Sequence, residues 1–563
     1  MVNVFDLLNA HVADSFVGRW FRLEGSGHPK ERIGSRFMTE IRAGLTTWAS
    51  MAYIISVNAS IISDSGGTCE CPIDSCSPGA NAAYDSCVND VRLDLITSTA
   101  AVSALSSFLM GFLANLPVGM APGLGLNAYF AYSIVGFRGS GIISYREALG
   151  AIFMEGWIFF ILSILGLRQW LVRLMPQSLV LAVGAGIASG GLGVIGGDTV
   201  NFVGLGGCLP DDMDPNLPNY CTHGVLQSPP MWLGVFLGGI LTVFLMLYRV
   251  RGAILIGIFL TSVVSWPRPT AVTYFPHTVA GDALFDYFKQ VVTFHRLRKV
   301  GNVIDYQYGK GKVWYALITF LYVDILDTTG TIYSMAKFAG LRDPVTLDFE
   351  GSTMAYCVDA FSISMGALMG TSPVTAFIES ATGISEGGKT GITAMVVGLC
   401  FLVSVFFAPI FASIPPWATG GALIIVGSLM IRNVRDINWD YIGDAVPAFL
   451  TLLIIPLSYN IAYGVIAGII SYLVLNGIPW VITHLSGGRI VPPNIEMSEE
   501  WVVPPGGMIP FWMRRLMGRK LEEEDNGVPL EVREHGPSYD MDAQSEKTDD
   551  DPSMVEAPKH IVR

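Results

Sequence analysis

MAPGLGLNAYF (residues 120–130) and MGTSPVTAFIES (369–380) are the two stretches that decide how this chain folds. In the first, Pro122, Gly123 and Gly125 stand just before Asn127; in the second, Gly370 and Pro373 stand before Glu379. Each places helix breakers shortly ahead of a polar side chain, within otherwise apolar sequence. Non-helical backbone at membrane depth survives only where it is buried in protein or lines a cavity. One such segment alone would read as a kink. A matched pair in two halves of a chain points to a transporter built from inverted repeats, with its substrate near the bilayer midplane. The backbone N–H groups freed at the half-helix starts then become ligands as well.

Composition agrees. Of 563 residues, 51% are hydrophobic and 14% charged, with a mean hydropathy of +0.49; a soluble domain is about one quarter charged. A disordered scaffold, an ordinary cytosolic enzyme and a nucleic-acid binder are excluded, which leaves an all-α polytopic membrane protein in contact with the lipid bilayer. The net charge of −13 is mostly local: residues 521–551 contribute −10 of it. No basic stripe suits a phosphate backbone, so no nucleic-acid partner is expected. The N-terminal MVNVFDLLNAHVADSFVGRWFRLEG has no cleavable signal pattern, and the first membrane helix is expected to act as its own targeting signal.

Apolar runs near the length of a bilayer crossing recur. Fourteen spans are expected at roughly 44–62, 94–117, 118–137, 148–167, 178–197, 230–248, 252–266, 313–332, 352–370, 373–385, 391–414, 417–431, 444–459 and 460–482. Lys30, Arg32, Arg36 and Arg42 precede the first span and predict a cytoplasmic N-terminus. Alternation then puts Arg168 with Arg173, Arg249 with Arg251, Lys337 with Arg342, and Arg432 with Arg435 inside, and an even count returns the C-terminus to the cytoplasm. The loop 267–312, assigned outside, runs against this rule with Arg296, Arg298 and Lys299. Cys69, Cys71, Cys76, Cys87, Cys208 and Cys221 fall on the outer side, where disulfides persist, in a pairing that spacing does not fix. Asn58-Ala-Ser60 matches a glycosylation sequon but lies inside the first span. FWMRRLMGRK (511–520) could rest on an anionic leaflet, and the acidic stretch beyond it reads as disordered.

Ionisable groups inside spans are costly and mark function. Asp324 and Asp327 lie three apart in FLYVDILDTTG (320–330), on one helix face; Glu379 follows the second breaker. None has a basic neighbour within a helical turn. A carboxylate accepts the paired N–H edge of a purine base, and Asn127 can both donate and accept. Phe377, Tyr53 and Tyr129 are candidates for covering the ring faces. Burial disfavours a carboxylate's charged form, so Asp327 or Asp324 could take a proton outside and release it inside. No metal-ligand cluster, phosphate loop or nucleophile motif is visible, so neither a cofactor nor enzymatic chemistry is expected.

APGLGLNAYFAY (121–132), LYVDILDTTGT (321–331), GTSPVTAFIESATGISEGGKTG (370–391) and PWATGGALIIVG (416–427) resemble the AzgA-like purine permeases, a branch of the nucleobase–ascorbate transporter superfamily. The resemblance covers roughly residues 35 to 480. It implies fourteen spans as two inverted seven-helix repeats: a cytoplasmic N-terminus (1–43), a core domain from 44–167 and 313–414, a gate domain from 178–266 and 417–482, an external loop (267–312) and a tail (483–563). It also implies a homodimer through the gate, a plasma-membrane location, and proton-coupled import of hypoxanthine, adenine and guanine. By the same resemblance Asn127, Asp324 and Glu379 bind substrate and Asp327 supports the site. Leu124 stands where many relatives have Met. SLVLAVGAGIASGGLGVIGGD (178–198) departs further, with seven glycines from Gly184 to Gly197; glycine costs ~1 kcal/mol per helix position. A shortened fifth span leaves open a transport-inactive paralogue or receptor. An anion transporter of the same superfold would need a cation or bare helix dipoles facing its substrate, and three carboxylates argue against it.

Overall fold

In the absence of water a backbone must satisfy its own hydrogen bonds, and apolar runs therefore become helices. The computed structural model describes residues 4–70, 82–168, 229–341 and 351–498, apart from 249, 251, 278, 432–433, 436 and 459–460, together with 178–179, 181–182, 213–214, 217–221 and 349. Most of the fifth span, Cys71, Cys76, Cys208, Arg173, Arg249, Arg251, Arg342, Arg432 and the tail beyond Ser498 lie outside the described residues. Helices fall where the apolar runs predict them: Phe37–Met51 and Ile54–Ser63, Ala82–Ala114, Tyr145–Ile164, Ala253–Ser265, Gly311–Phe338, Ser352–Leu368, Gly391–Phe406, Pro416–Ile431, Ile442–Ser458 and Ile461–Tyr472. Among the described residues five helical stretches are long and apolar enough to cross a membrane, Phe37–Ser63 being the first. The last, Tyr463–Leu485, continues a few residues beyond the expected end of the fourteenth span.

The helices of one half pack against those of the other. Gly391–Phe406 lies along Ala82–Ala114, and Ser352–Leu368 lies along Tyr145–Ile164. Small residues permit the approach: a Cβ on Gly156 would stand 2.7 Å from the Ala360 carbonyl oxygen and 2.8 Å from the Ser364 nitrogen. Close backbone contact of this kind supplies the van der Waals packing that holds helices together in lipid. In contrast, Phe236, Phe244 and Leu247 on one helix and Ile466, Ile470 and Leu473 on another are exposed. These are apolar faces suited to lipid or to a second membrane helix.

Two polar clasps close the ends. Asp94 accepts the backbone N–H groups of Arg298 (2.7 Å), Lys299 (2.5 Å) and Val300 (3.3 Å), and bonds the His295 ring at 2.8 Å. The basic loop that strains the positive-inside pattern is thus held to the start of the second span by a carboxylate. At the other end, buried Glu40 accepts the N–H groups of Lys389 (2.9 Å) and Thr390 (3.1 Å) and the Thr393 hydroxyl (2.6 Å). Arg32 donates to the carbonyls of Asn115 and Lys389 beside it. Cys69 and Cys87 form a disulfide that ties the ends of the first two spans.

Candidate functional site

Both broken segments become short strands, and they meet. Met120–Pro122 pairs antiparallel with Val374–Ala376, with Ala121 opposite Thr375. The Gly123 N–H reaches the Pro373 carbonyl (3.1 Å) and the Phe377 N–H reaches the Gly119 carbonyl (3.0 Å). Prolines at 122 and 373 cannot donate to a helix, so the chain extends and spends its remaining hydrogen bonds across the crossing. Gly123 is required there: a Cβ would stand 2.8 Å from both Cγ2 and Oγ1 of Thr375. Each strand leads into a helix, the first almost at once and the second after the turn through Phe377, Ile378 and Glu379. One is Leu124–Ala128 continued to Ile134; the other is Ser380–Ser385. Gly125 lies in the first turn of the former, and the Gly370 carbonyl, ahead of the second strand, accepts the Tyr145 hydroxyl.

The polar side chains collect around this crossing in two tiers. In the accessible tier, Glu379 is partly exposed and its Oε1 accepts the Tyr53 hydroxyl at 2.8 Å. Asp327, also partly exposed, lies within electrostatic reach of Glu379 and of Asp359. Asn127, beside them, is fully buried; its Oδ1 accepts the Ser372 hydroxyl, while its Nδ2 is a donor with no hydrogen-bond partner among the described residues. Of the expected ring-covering aromatics, Tyr53 serves as this hydrogen-bond donor. Phe377 is buried in the core, and Tyr129 packs edge-on against Phe320 at 5.5 Å.

The enclosed tier lies behind. Asp324 has no exposed surface; Oδ1 accepts the Thr328 hydroxyl and Oδ2 faces Arg168 Nη2 at 3.7 Å. Two residues three apart on a helix point about 60° from each other, so Asp324 turns toward Arg168 while Asp327 is the acid that approaches Glu379. Arg168 is paired with Asp359 at 2.6 Å and donates from Nε to Thr329 Oγ1 at 3.1 Å. Its guanidinium covers the rings of Phe159 (4.4 Å) and Tyr356 (5.1 Å). Glu155, wholly buried, faces Asp324, Arg168 and Asp359.

One sequence expectation is corrected here. Arg168 is not a solvated cytoplasmic flank: Gly166 turns the chain with φ +70°, and the side chain folds back along its own helix to buried acids. Glu155 and Asp359 were absent from the sequence-based site. Both were detectable as lone acids in apolar runs, AIFMEGWIFF (151–160) and AYCVDAFSIS (355–364).

A helical membrane protein whose two halves each supply an interrupted segment, crossing beside accessible carboxylates, is of the transporter class. A family model described as "Permease family", that of xanthine and uracil permeases, matches residues 80–467. The chain is 53% identical to an efflux pump of Aspergillus versicolor, over 95% of this chain and 96% of that one. It is also 53% identical to a putative xanthine/uracil permease of Schizosaccharomyces pombe, over 97% and 90% respectively. A guanine/hypoxanthine permease of Bacillus subtilis is 35% identical, over 78% of this chain and 91% of its own. The chain belongs to the xanthine/uracil permease family, in agreement with the resemblance to purine permeases carried by the four motifs. It is a multi-pass membrane transport protein and not an enzyme.

Proposed function

We propose that the protein is a proton-coupled importer of purine nucleobases (hypoxanthine, adenine and guanine) at the plasma membrane, with both termini cytoplasmic. The observation that carries this reading is the crossing of the two broken segments, with Glu379 accessible on one side and the unpartnered Asn127 Nδ2 on the other. Glu379, held by Tyr53, accepts the N–H edge of the base. Asn127 Nδ2 donates to a ring nitrogen or carbonyl. Backbone N–H groups at Leu124 and Gly125 add donors. Asp324 and Asp327 follow on the neighbouring helix, with Asp327 nearer the bound base and Asp324 nearer the coupled proton. Such pairing of a carboxylate with purine N–H groups suits neutral bases and disfavours anions. The name of the Bacillus relative supports guanine and hypoxanthine as substrates.

Transport proceeds by movement of a core, formed by the spans around the crossing, against a gate that includes Pro229–Leu247 and Tyr463–Leu485. The exposed apolar faces of those gate helices support a homodimer through the gate. Uptake of radiolabelled hypoxanthine in a cell lacking its own purine carriers tests the reading. Wild type should accumulate label and Glu379→Ala should not, at equal surface expression; full uptake by Glu379→Ala would overturn it. The relative named as an efflux pump makes direction a question for the same cells. Loss of preloaded label, without uptake, would reverse the assigned direction.

A further inference from the structure

Purine recognition leaves the enclosed tier unused. Glu155 comes from helix Tyr145–Ile164, Asp324 from Gly311–Phe338 and Asp359 from Ser352–Leu368, and none exposes any surface. Among the described residues neither oxygen of Glu155 has a hydrogen-bond partner, and Asp359 Oδ1 has none; Asp359 Oδ2 and Asp324 Oδ2 face Arg168 at 2.6 and 3.7 Å. Arg168 is the cation that faces all three. Burying an unpaired charge is far more costly than burying a neutral carboxyl group. With every group ionised, three acids against one guanidinium would leave two negative charges sealed from water. A bound metal ion could balance them, but among the described residues no three acidic, histidine or cysteine side chains converge as metal ligands. The remaining cation of suitable size is the proton.

We propose that Glu155, Asp324, Asp359 and Arg168 form a proton site separate from the purine site, and that Glu155 holds the coupled proton. This rests on the proton-coupled reading given above. Asp359 is pinned by its ion pair with Arg168, and Asp324 is held by Thr328, which leaves Glu155 as the acid with no hydrogen-bond partner among the described residues. The groups facing it are Arg168 beyond the end of its own helix, Asp324 on the second helix and Asp359 on the third; behind these, Asp327 faces Asp359 and the Tyr356 ring lies under Arg168. Asp327, between Asp359 and Glu379, relays the state of this site to the substrate carboxylate by charge alone. One proton is bound to the Glu155 carboxylate from one side of the membrane in each cycle, and one is released to the other.

The test uses the full chain reconstituted in vesicles with labelled hypoxanthine, read in two ways. Exchange of internal for external base needs no net proton movement; accumulation under an imposed pH difference does. Two pH units can drive up to about 100-fold accumulation at one proton per base. Glu155→Gln is expected to exchange but to equilibrate at a ratio of about 1, and Glu155→Asp to recover accumulation with a shifted pH midpoint. Accumulation by Glu155→Gln at the wild-type ratio overturns the proposal. Should Glu155→Gln fail to insert, an Glu155→Asp pH profile identical to wild type overturns it equally. Wild-type exchange without gradient-driven accumulation would refute the proton-coupled reading itself, and absence of wild-type exchange would refute the purine reading.

Discussion

Replacing Arg168 by Met removes the cation of the enclosed tier while keeping much of the apolar bulk. The structure sets the magnitude. Arg168 and Asp359 are both fully buried at 2.6 Å, and Asp324 adds a second contact at 3.7 Å. Breaking a buried pair by removing one partner costs about 3–5 kcal/mol, because the other charge is left without compensation. Arg168→Met leaves three acids facing one another and should reach the upper end. Asp359→Asn should cost less, since Arg168 still faces Asp324 and Glu155. Removing both partners relieves the uncompensated charge, so Arg168→Met with Asp359→Asn should be more stable than Arg168→Met alone. The assay is the temperature at which the detergent-purified protein loses its monodisperse peak. A loss of about 3–5 kcal/mol corresponds to a downward shift on the order of 10 °C. Arg168→Met melting within about 1 °C of wild type, or a double variant weaker than either single one, would refute the assignment of Arg168 as the counter-charge of this tier.

Three further outcomes follow from the geometry. Tyr53→Phe deletes the donor that orients Glu379; at about 1.5–3 kcal/mol for a hydrogen bond to a charged group, KM for hypoxanthine should rise at least tenfold, and an unchanged KM would show that Glu379 is positioned otherwise. Gly123→Ala drives a methyl group against Thr375 and should abolish uptake, with Thr375→Ala restoring part of it by removing the two atoms at 2.8 Å; a double variant as inactive as the single one would rule out steric conflict at the crossing. Just past the first span, burial pushes the Asp64 carboxyl up to about 6, opposed by the Tyr132 hydroxyl and by Arg92 and Arg138. A raised folded value means that its contribution to stability is complete below the unfolded value and is lost as pH rises through about 6. Asp64→Asn should therefore match wild type at pH about 4 and melt higher than wild type at pH about 7.5; equal melting at both pH values would contradict the shift.

Much of the fold was legible because lipid simplifies the code. A run such as 352–370 has one solution, and the helix Ser352–Leu368 follows it closely. The breaker-plus-polar pattern at Pro122 and Pro373 also located the crossing, though it did not say that the two strands would pair. Asp324 and Asp327 were visible as a set; their divergence was not, because a 60° difference in heading has meaning only once Arg168 and Glu379 are in place on other elements. Arg168 misled for a physical reason: a cation four residues past the end of a helix ordinarily sits in the headgroups, and its burial depends on a local turn at Gly166 and on Asp359, far along the chain. The basic loop near residue 298 was discordant for the same reason, since its partner Asp94 belongs to a distant span. Glu155 was legible by the rule applied to Glu379, but it lacks a neighbouring breaker to draw notice.

The two strands at the crossing come from opposite halves of the molecule, and among the described residues each is the other's sole neighbour in that ladder. Neither half can therefore complete itself. A ribosome that has just released Pro122 leaves in the lipid a strand whose edge has nothing to bond, and the first residue of its partner, Val374, comes 252 residues later. Maturation of this chain is thus an event of late closure, and a chaperone or insertase guarding the exposed edge of Met120–Pro122 would be shielding the place where, on the function proposed above, cargo is later held.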